Sequence, residues 1–196
     1  MTWKELPPDF TFEPIATLFQ LLRFTDTFAI CQYNQGDKVL VLLDQSAEQQ
    51  AQNYVLSRPV ESGGLLLGRT FINSGEFKTT FKYIVAISGS VCADDAHGTA
   101  TALRMESNLW TKAGIVKQPN EFVVGWFHSH PNLGAFFSGT DRRTQASFFN
   151  RSHNIGWVID PVRREEAWFV GPESCEISKQ LIVRSDYSML NNTQLA

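Results

Sequence analysis

Two histidines separated by one residue lie at the end of an apolar run and are followed by evenly spaced polar residues. The stretch reads GWFHSHPNLGAFFSGTD and contains His128 and His130. Side chains alternate across a β-strand, so residues i and i+2 project from the same face. The two imidazoles can therefore converge on one point, as metal ligands do, although an H-x-H pair alone is more often structural.

A serine and an acid extend this arrangement. Ser138 precedes Asp141 by three residues at the start of a polar segment, which is the spacing of a helix N-cap and its N3 partner. The positive end of a helix favours an ionised carboxylate. Two neutral imidazoles, one carboxylate and a water molecule make the open tetrahedral set of a catalytic zinc site. A capping role and a ligand role are compatible in one residue.

A hydrolytic zinc site also needs a base that is not a ligand. Glu61 lies just ahead of the apolar sequence GGLLLG, where a single acid is unusual unless it faces a cavity. Taken alone, such a residue is more simply a solvated loop residue. In company with the two histidines and Asp141 it becomes the candidate general base.

The hydrophobic pattern predicts the elements that must position these residues. Predicted helices cover 14–23, 44–58, 99–113 and 141–151, with a capping box of Ser46 and Gln49 in the second. Predicted strands cover 28–33, 38–43, 64–71, 79–88, 122–130, 155–160 and 166–170, and the first two are expected to form a hairpin. Interleaved strands and helices predict an α/β domain whose sheet is covered by helices on both sides.

Composition narrows the class of protein. A chain of 196 residues that is 43% hydrophobic can bury one substantial core, so we expect one domain. A net charge of −3 argues against a broad nucleic-acid surface, and no apolar run approaches the length of a membrane span. The N-terminus lacks the apolar region of a secretory signal. Three cysteines without a CxxC pair indicate buried thiols in a reducing compartment, so we expect a cytoplasmic protein.

The chain resembles the MPN-domain family in its metalloprotease form, the JAMM (MPN-plus or JAB) zinc isopeptidases. The family pattern is a glutamate ahead of an apolar strand, then H-x-H, seven residues, serine, two residues and aspartate. The matching residues are Glu61, His128, His130, Ser138 and Asp141. The flanking sequences GWFHSHP, AFFS and WVIDP also resemble the family, and the resemblance covers about 38–170.

The resemblance implies a single MPN (JAB-like) domain with a mixed, mostly antiparallel sheet in a cytidine-deaminase-like architecture. It implies that His128, His130 and Asp141 bind one Zn²⁺ per chain. Glu61 would act as the acid/base residue and Ser138 would stabilise the oxyanion. The implied reaction is hydrolysis of the amide bond after the C-terminal glycine of ubiquitin or a ubiquitin-like modifier, in deconjugation or precursor processing.

The implied partner is such a modifier or its conjugates, and an activating protein partner is compatible with this reading. An extended glycine tail can add to a sheet edge or insert, for which 74–80 and 132–137 are the candidate segments. The alternatives are a non-catalytic MPN scaffold or binding domain, and an amidase acting on a small peptide. Scaffold members usually lack one or more ligands, and this chain lacks none, which favours the enzyme.

The expected organisation has three parts. Residues 1–37 would be an N-terminal extension packed on or adjoining the core, 38–185 the metalloprotease domain, and 186–196 a loose tail. Two further histidines are not expected to be ligands. His97 is expected in a loop or at a helix start, and His153 as a C-terminal helix cap.

Overall fold

A computed structural model describes residues 10–32, 39–75, 77, 81–93 and 107–187. Its helices are α1 (Ile15–Leu21), α2 (Phe24–Gln32), α3 (Gln45–Leu56), α4 (Ser107–Val116) and α5 (Gly139–Phe148). Its strands are β1 (Glu13–Pro14), β2 (Val39–Asp44), β3 (Gly63–Ile72), β4 (Tyr83–Cys92), β5 (Phe122–Ser129), β6 (Ile155–Asp160), β7 (Glu165–Val170), β8 (Cys175–Ile177) and β9 (Ile182–Ser185).

The strands form one mixed sheet in the order β8-β7-β6-β5-β3-β4-β2-β9, and β1 pairs with the end of β3. The longest pairings, β3 with β4 and β3 with β5, are antiparallel. Strand β5 runs parallel to β6, with His128 opposite Val158. Every residue of β3 from Gly63 to Phe71 is buried, as the continuous apolar run predicts for a central strand.

Helices cover both faces of this sheet. Helices α1, α2 and α3 pack on one face through buried aliphatic residues such as Ile15, Ile30 and Val55. Helix α4 packs on the other face through Leu109, and Phe149 at the end of α5 packs there too. The prediction of an α/β fold with a mixed sheet between helical layers is confirmed.

The predicted hairpin of 28–33 with 38–43 is wrong. Residues 24–32 form α2, while β2 lies parallel to both β4 and β9. A short apolar run such as Phe28 to Ile30 suits a strand or a helix equally, because it is too short to show a period. Only Ile30 of that run is buried, which is the pattern of a helix with one inward face.

The predicted capping box of Ser46 and Gln49 is also wrong. Asp44 caps α3, because its Oδ1 accepts the backbone N–H groups of Ser46 (2.8 Å) and Ala47 (3.4 Å). Strand β2 runs directly into the helix, so the last strand residue becomes the cap. Helix α4 continues through Gly114 to Val116, whereas the prediction ends this helix before that glycine. The first part of the predicted helix, 99–106, lies outside the described residues.

Two predictions about single side chains are wrong as well. Cys31 and Cys175 are exposed and Cys92 is partly exposed, so the thiols are not buried. His153 is buried and stacks on the ring of Phe10 at 4.7 Å, so it packs in the interior rather than capping a helix. His97 lies outside the described residues.

Residues near the start of the described chain are attached to the sheet. Glu13 and Pro14 pair with Phe71 and Ile72 at the end of β3. The Arg69 Nε atom donates to Glu13 Oε1 at 2.7 Å, and a second guanidinium nitrogen contacts the other carboxylate oxygen. Among the described residues, no helix has the length and apolar character needed to cross a membrane.

Candidate metal centre

The end of strand β5 and the residue that follows it bring the two histidines together. The Nε2 atoms of His128 and His130 lie 3.1 Å apart, and both side chains are buried. The backbone N–H of His130 donates to the carbonyl of Ile159 at 2.9 Å, which extends the β5–β6 pairing past the end of the strand. The two imidazoles therefore share one face, as their spacing predicts.

Helix α5 brings the carboxylate to the same point. Ser138 is its N-cap, with Ser138 Oγ accepting the Asp141 N–H at 3.2 Å and Asp141 Oδ2 accepting the Ser138 N–H at 2.7 Å. The predicted capping box of these two residues is confirmed. Asp141 Oδ1 lies 3.3 Å from His128 Nε2, and Oδ2 lies 3.5 Å from His130 Nε2. One ligand atom from each of the three residues lies within 4.8 Å of the others.

Glu61 approaches from the residues that precede β3. Its Oε1 lies 3.9 Å from His130 Nε2, and its side chain is buried. Two hydrogen bonds fix this approach: the Ser62 N–H donates to Ser129 Oγ at 3.1 Å, and the Ser129 N–H donates to the Ser62 carbonyl at 2.8 Å. A Cβ at Gly63 would lie 2.2 Å from the Phe127 carbonyl, so only glycine allows β3 to come this close to β5.

The surroundings shift the pKa values of these four groups in different directions. Burial raises the pKa of Glu61, with the nearby Asp141 carboxylate adding to the shift and His130 opposing it. Burial also acts to raise the pKa of Asp141, but hydrogen bonds from both histidines outweigh it and lower that pKa strongly. Burial lowers the pKa of His128. Burial opposes protonation of His130 too, but the Asp141 and Glu61 carboxylates raise its pKa overall.

The donor set fits a zinc ion. Imidazole nitrogen and carboxylate oxygen are ordinary zinc ligands, and three protein ligands leave the fourth tetrahedral position open for water or substrate. Asp141 is held in its ionised form, and the low pKa of His128 favours the neutral ring that a metal requires. Glu61 lies beside the three without belonging to the group, which is the place of a proton-transfer residue.

Two side chains that the sequence analysis did not single out support the centre. The Trp126 ring stacks on the His128 ring at 4.5 Å and 6°. The Trp126 Nε1–H donates to Gln145 Oε1 at 2.7 Å, and Gln145 is buried on the same helix as Asp141. Spacing could have identified both residues: Trp126 is two positions before His128 on a strand, and Gln145 is four positions after Asp141 on a helix.

A third missed residue is Asp160, the acid of the WVIDP sequence. Its buried carboxylate accepts the backbone N–H groups of Asn132 (3.0 Å) and Gly134 (2.7 Å) in the loop after His130. It also accepts those of Val162 and Arg163 in the turn after β6. One carboxylate therefore ties the loop beside the centre to the neighbouring turn.

The two segments expected to hold a substrate tail have different outcomes. The 132–137 loop borders the centre, since the Phe136 ring lies 5.0 Å from the His130 ring. Of the 74–80 segment, residues 76 and 78–80 lie outside the described part of the chain.

Comparison with known proteins identifies the relatives of this chain. A family model described as prokaryotic homologs of the JAB domain matches residues 41–170. The 26S proteasome non-ATPase regulatory subunit 14 of Caenorhabditis elegans is 32% identical over 108 residues, covering 54% of this chain and 32% of that protein. The ubiquitin carboxyl-terminal hydrolase RPN11 of Saccharomyces cerevisiae is 31% identical over 108 residues, covering 54% and 33%. The chain thus spans about a third of the length of these relatives.

Among solved structures, protein DSY2949 from Desulfitobacterium hafniense superposes with a TM-score of 0.55. The superposition covers 75% of this chain and 94% of that one at 16% sequence identity. At that identity the likeness shows a shared fold alone.

Proposed function

This chain belongs to the prokaryotic JAB-domain family, and we propose that it is a zinc-dependent isopeptidase or peptidase. It hydrolyses the amide bond after the C-terminal glycine of ubiquitin or a ubiquitin-like modifier, in deconjugation or precursor processing. The observation that carries the proposal is the buried group of His128, His130 and Asp141 with Glu61 next to it. A relative named as a ubiquitin carboxyl-terminal hydrolase supports the substrate class.

In the proposed mechanism, His128, His130 and Asp141 would hold the zinc ion, and two other side chains act on the reacting groups. When bound there, zinc would supply Lewis acidity toward the scissile carbonyl and toward water near neutral pH. Glu61 accepts a proton as the water oxygen bonds to the carbonyl carbon, and it delivers that proton to the amine when the C–N bond breaks. The raised pKa of Glu61 suits a group that must hold the proton between these steps.

Ser138 takes the remaining role. Its Oγ accepts the Asp141 N–H, which holds the oxygen at the start of α5 beside the centre. We assign its hydroxyl proton to the oxyanion that develops as the tetrahedral intermediate forms. Because Ser138 and Asp141 share one capping box, the helix start places the ligand and the oxyanion donor together.

The proposed partners are a ubiquitin-like protein or its conjugates, bound through an extended glycine tail beside the 132–137 loop. Relatives named as regulatory subunits of the 26S proteasome support an activating protein partner as part of the proposal. A cytoplasmic location completes the proposal.

The test is a cleavage assay with the purified full-length protein. We expect about one zinc per chain in a preparation never exposed to chelator, since three protein ligands and water complete one tetrahedral site. That protein should cleave some members of a panel of modifier-tail fusions directly after the terminal glycine. The Glu61→Gln variant, which keeps all three ligands, is the matched inactive control.

The other outcomes distinguish the alternatives. Cleavage of short peptides with no cleavage of any modifier would favour a small-peptide amidase. A folded protein that retains no zinc and cleaves nothing would contradict the proposal and favour a scaffold or binding domain.

A further inference from the structure

A second cavity lies at the other end of β5 from the metal centre. It has a volume of about 260 Å³ and is lined by residues of α4, the end of α5 and the first described residue of the chain. Five of its lining side chains are aromatic: Phe10, Trp110, Phe122, Phe148 and Phe149. We name it the aromatic pocket. Strand β5 begins at Phe122 in this pocket and ends beside His130, so about 20 Å of extended chain separates the two sites.

Two cations border the aromatic pocket, and none of the described residues that line it is acidic. Lys117 Nζ lies 5.5 Å from the centre of the Phe122 ring, and the Arg151 guanidinium lies 4.7 Å from that of Phe10. Neither cation forms an ion pair with another described residue. The whole chain carries a net charge of −3, so this local excess of positive charge runs against the overall balance.

Part of the aromatic lining faces solvent. Phe148 lines the pocket and is 57% exposed. Apolar surface that is exposed and rimmed by polar residues marks sites that bind other proteins. The combination of an apolar pocket with a cationic border is complementary to an apolar group flanked by carboxylates.

Gly114 lines the pocket and has open space beside its Cα atom. Trp110, Gly114 and Lys117 all line the pocket, and their spacing places them on one face of α4. A Cβ at Gly114 would meet no atom within 4 Å, so no contact in the described structure requires glycine there. Glycine inside a helix costs about 1 kcal/mol relative to alanine. A larger side chain at this position would project into the open space.

We propose that the aromatic pocket is a docking site for an acidic segment of a partner protein that inserts one large apolar side chain. The aromatic rings would enclose that side chain, while Lys117 and Arg151 attract the flanking carboxylates. The volume is smaller than the roughly 300–1,000 Å³ of pockets that enclose whole ligands, and therefore fits a single side chain. This docking site is separate from the proposed hydrolase centre and does not depend on it.

The test measures binding of a fluorescein-labelled peptide to the full-length protein by fluorescence anisotropy. The probe has one tryptophan between three glutamates on each side. We expect saturable binding that weakens as salt is added, because Lys117 and Arg151 are partly exposed to solvent. Replacing the tryptophan by serine, or the glutamates by lysines, should weaken binding at least about tenfold. Absence of saturable binding up to about 1 mM, an affinity near 4 kcal/mol, would overturn the proposal.

Variants at the mouth of the pocket make the test specific. Gly114→Leu should obstruct the pocket and weaken binding at least about tenfold, whereas Gly114→Ala should bind as the wild type does. Both substitutions improve helix propensity, so both proteins should fold, and their melting temperatures check this. Wild-type affinity in folded Gly114→Leu would contradict the pocket as the binding site.

One further variant excludes the chain's own N-terminus as the occupant. Residues 1–9 precede Phe10 and include an aromatic residue and acids. If Trp3→Ala binds the peptide much more tightly than the wild type, the chain's own tryptophan competes for the pocket and the partner proposal is wrong. Equal affinity supports the partner proposal. Tail-fusion cleavage should be unchanged in Gly114→Leu, because a Cβ at Gly114 would meet no described atom within 4 Å and the change does not touch the metal centre.

Discussion

Glu61 and Asp141 are both buried carboxylates within 4 Å of His130, yet their surroundings act on them in opposite directions. Asp141 receives the Ser138 N–H and faces both imidazoles, so its ionised form is strongly favoured. Glu61 is affected most by burial, which raises its pKa. The first environment suits a permanently anionic ligand and the second suits a group that gains and loses a proton.

This difference predicts separate effects for two conservative substitutions. Asp141→Asn should weaken zinc retention, because it removes the anionic member of the ligand set. Glu61→Gln should keep zinc but lose about 10²- to 10⁴-fold in turnover, the usual contribution of a positioned acid or base. Zinc content by elemental analysis and cleavage of a tail fusion measure the two effects. A folded Glu61→Gln protein that lacks zinc, or turns over like the wild type, would show that this role is wrong.

The residues of the candidate centre can be identified from sequence because strand and helix periods place them. The H-x-H spacing predicts a shared strand face, and the spacing from Ser138 to Asp141 predicts the capping box, which the structure confirms. Local periods cannot show which distant residues meet. The contact of Trp126 with Gln145 and the hydrogen bonds of Asp160 to Asn132 and Gly134 join separate elements, so only the folded chain reveals them.

At the scale of elements, Gln145 joins α5 to β5 next to both ligand-bearing segments. Its Oε1 accepts the Trp126 N–H, and its Nε2 donates to the carbonyls of Phe149 and Asn154. Gln145→Leu leaves the buried Trp126 N–H unpaired and should cost about 1–3 kcal/mol in the free energy of unfolding. It should also weaken zinc affinity, because the Trp126 ring that stacks on His128 loses the hydrogen bond that holds it.

Urea unfolding and a zinc competition titration measure these two effects on the same preparation. Ser147→Ala is the matched control, because Ser147 lies on the exposed side of the same helix. Gln145→Glu keeps the oxygen that accepts the Trp126 N–H and should recover part of the zinc affinity. Wild-type zinc affinity in Gln145→Leu would restrict Gln145 to a purely structural role.

Asp160 connects the loop after His130 to the turn after β6, and its ionisation should make that connection depend on pH. Burial acts to raise the pKa of Asp160, but its four backbone N–H donors lower it overall. A lowered native pKa contributes stability that is complete above the unfolded value of about 3.9 and is lost as the pH falls through the native value. Asp160→Asn should therefore cost about 2 kcal/mol at pH 7, with the difference from wild type shrinking below about pH 4.

Unfolding by urea across this pH range measures that difference directly. Glu176→Gln, a substitution of an exposed acid on β8, is the control for general effects of lost charge. A difference from wild type that stays constant down to pH 3 would show that the carboxylate charge is not what holds the loop.

The sequence predicts the central elements better than the peripheral ones, and the reason is burial. Strands β3, β5 and β6 are covered on both faces, so their apolar runs are long and unambiguous. Helix α2 buries Ile30 and leaves Phe24 and Phe28 exposed, so its pattern gives no clear period. The cap of α3 depends on where β2 ends, which propensity does not determine.

At the scale of the whole molecule, described residues that precede β2 contribute to the hydrophobic core. Ile15, Leu18 and Ile30 are all within the hydrophobic core, and Glu13 is joined to the buried Arg69. The boundary at residue 37 therefore divides the chain by family resemblance and not by packing. The proposed metalloprotease domain, 38–185, should depend on the preceding residues for its stability.

Deletion of residues 1–37 tests this dependence. Each buried isoleucine or leucine contributes about 1.5–3 kcal/mol, so losing three of them removes an amount comparable to the whole stability of a typical domain. We expect the truncated chain to be insoluble or to melt far below the wild type, as measured by circular dichroism or calorimetry. Glu13→Gln in the full chain is the milder comparison, because it removes the charge that pairs with Arg69 and leaves the apolar contacts in place. That variant should fold and be destabilised far less than the truncated chain, since it removes one ion pair of the buried Arg69 and keeps the apolar contacts. An unchanged melting temperature in the truncated chain would mean that residues 38–185 fold independently and that the segment is an accessory.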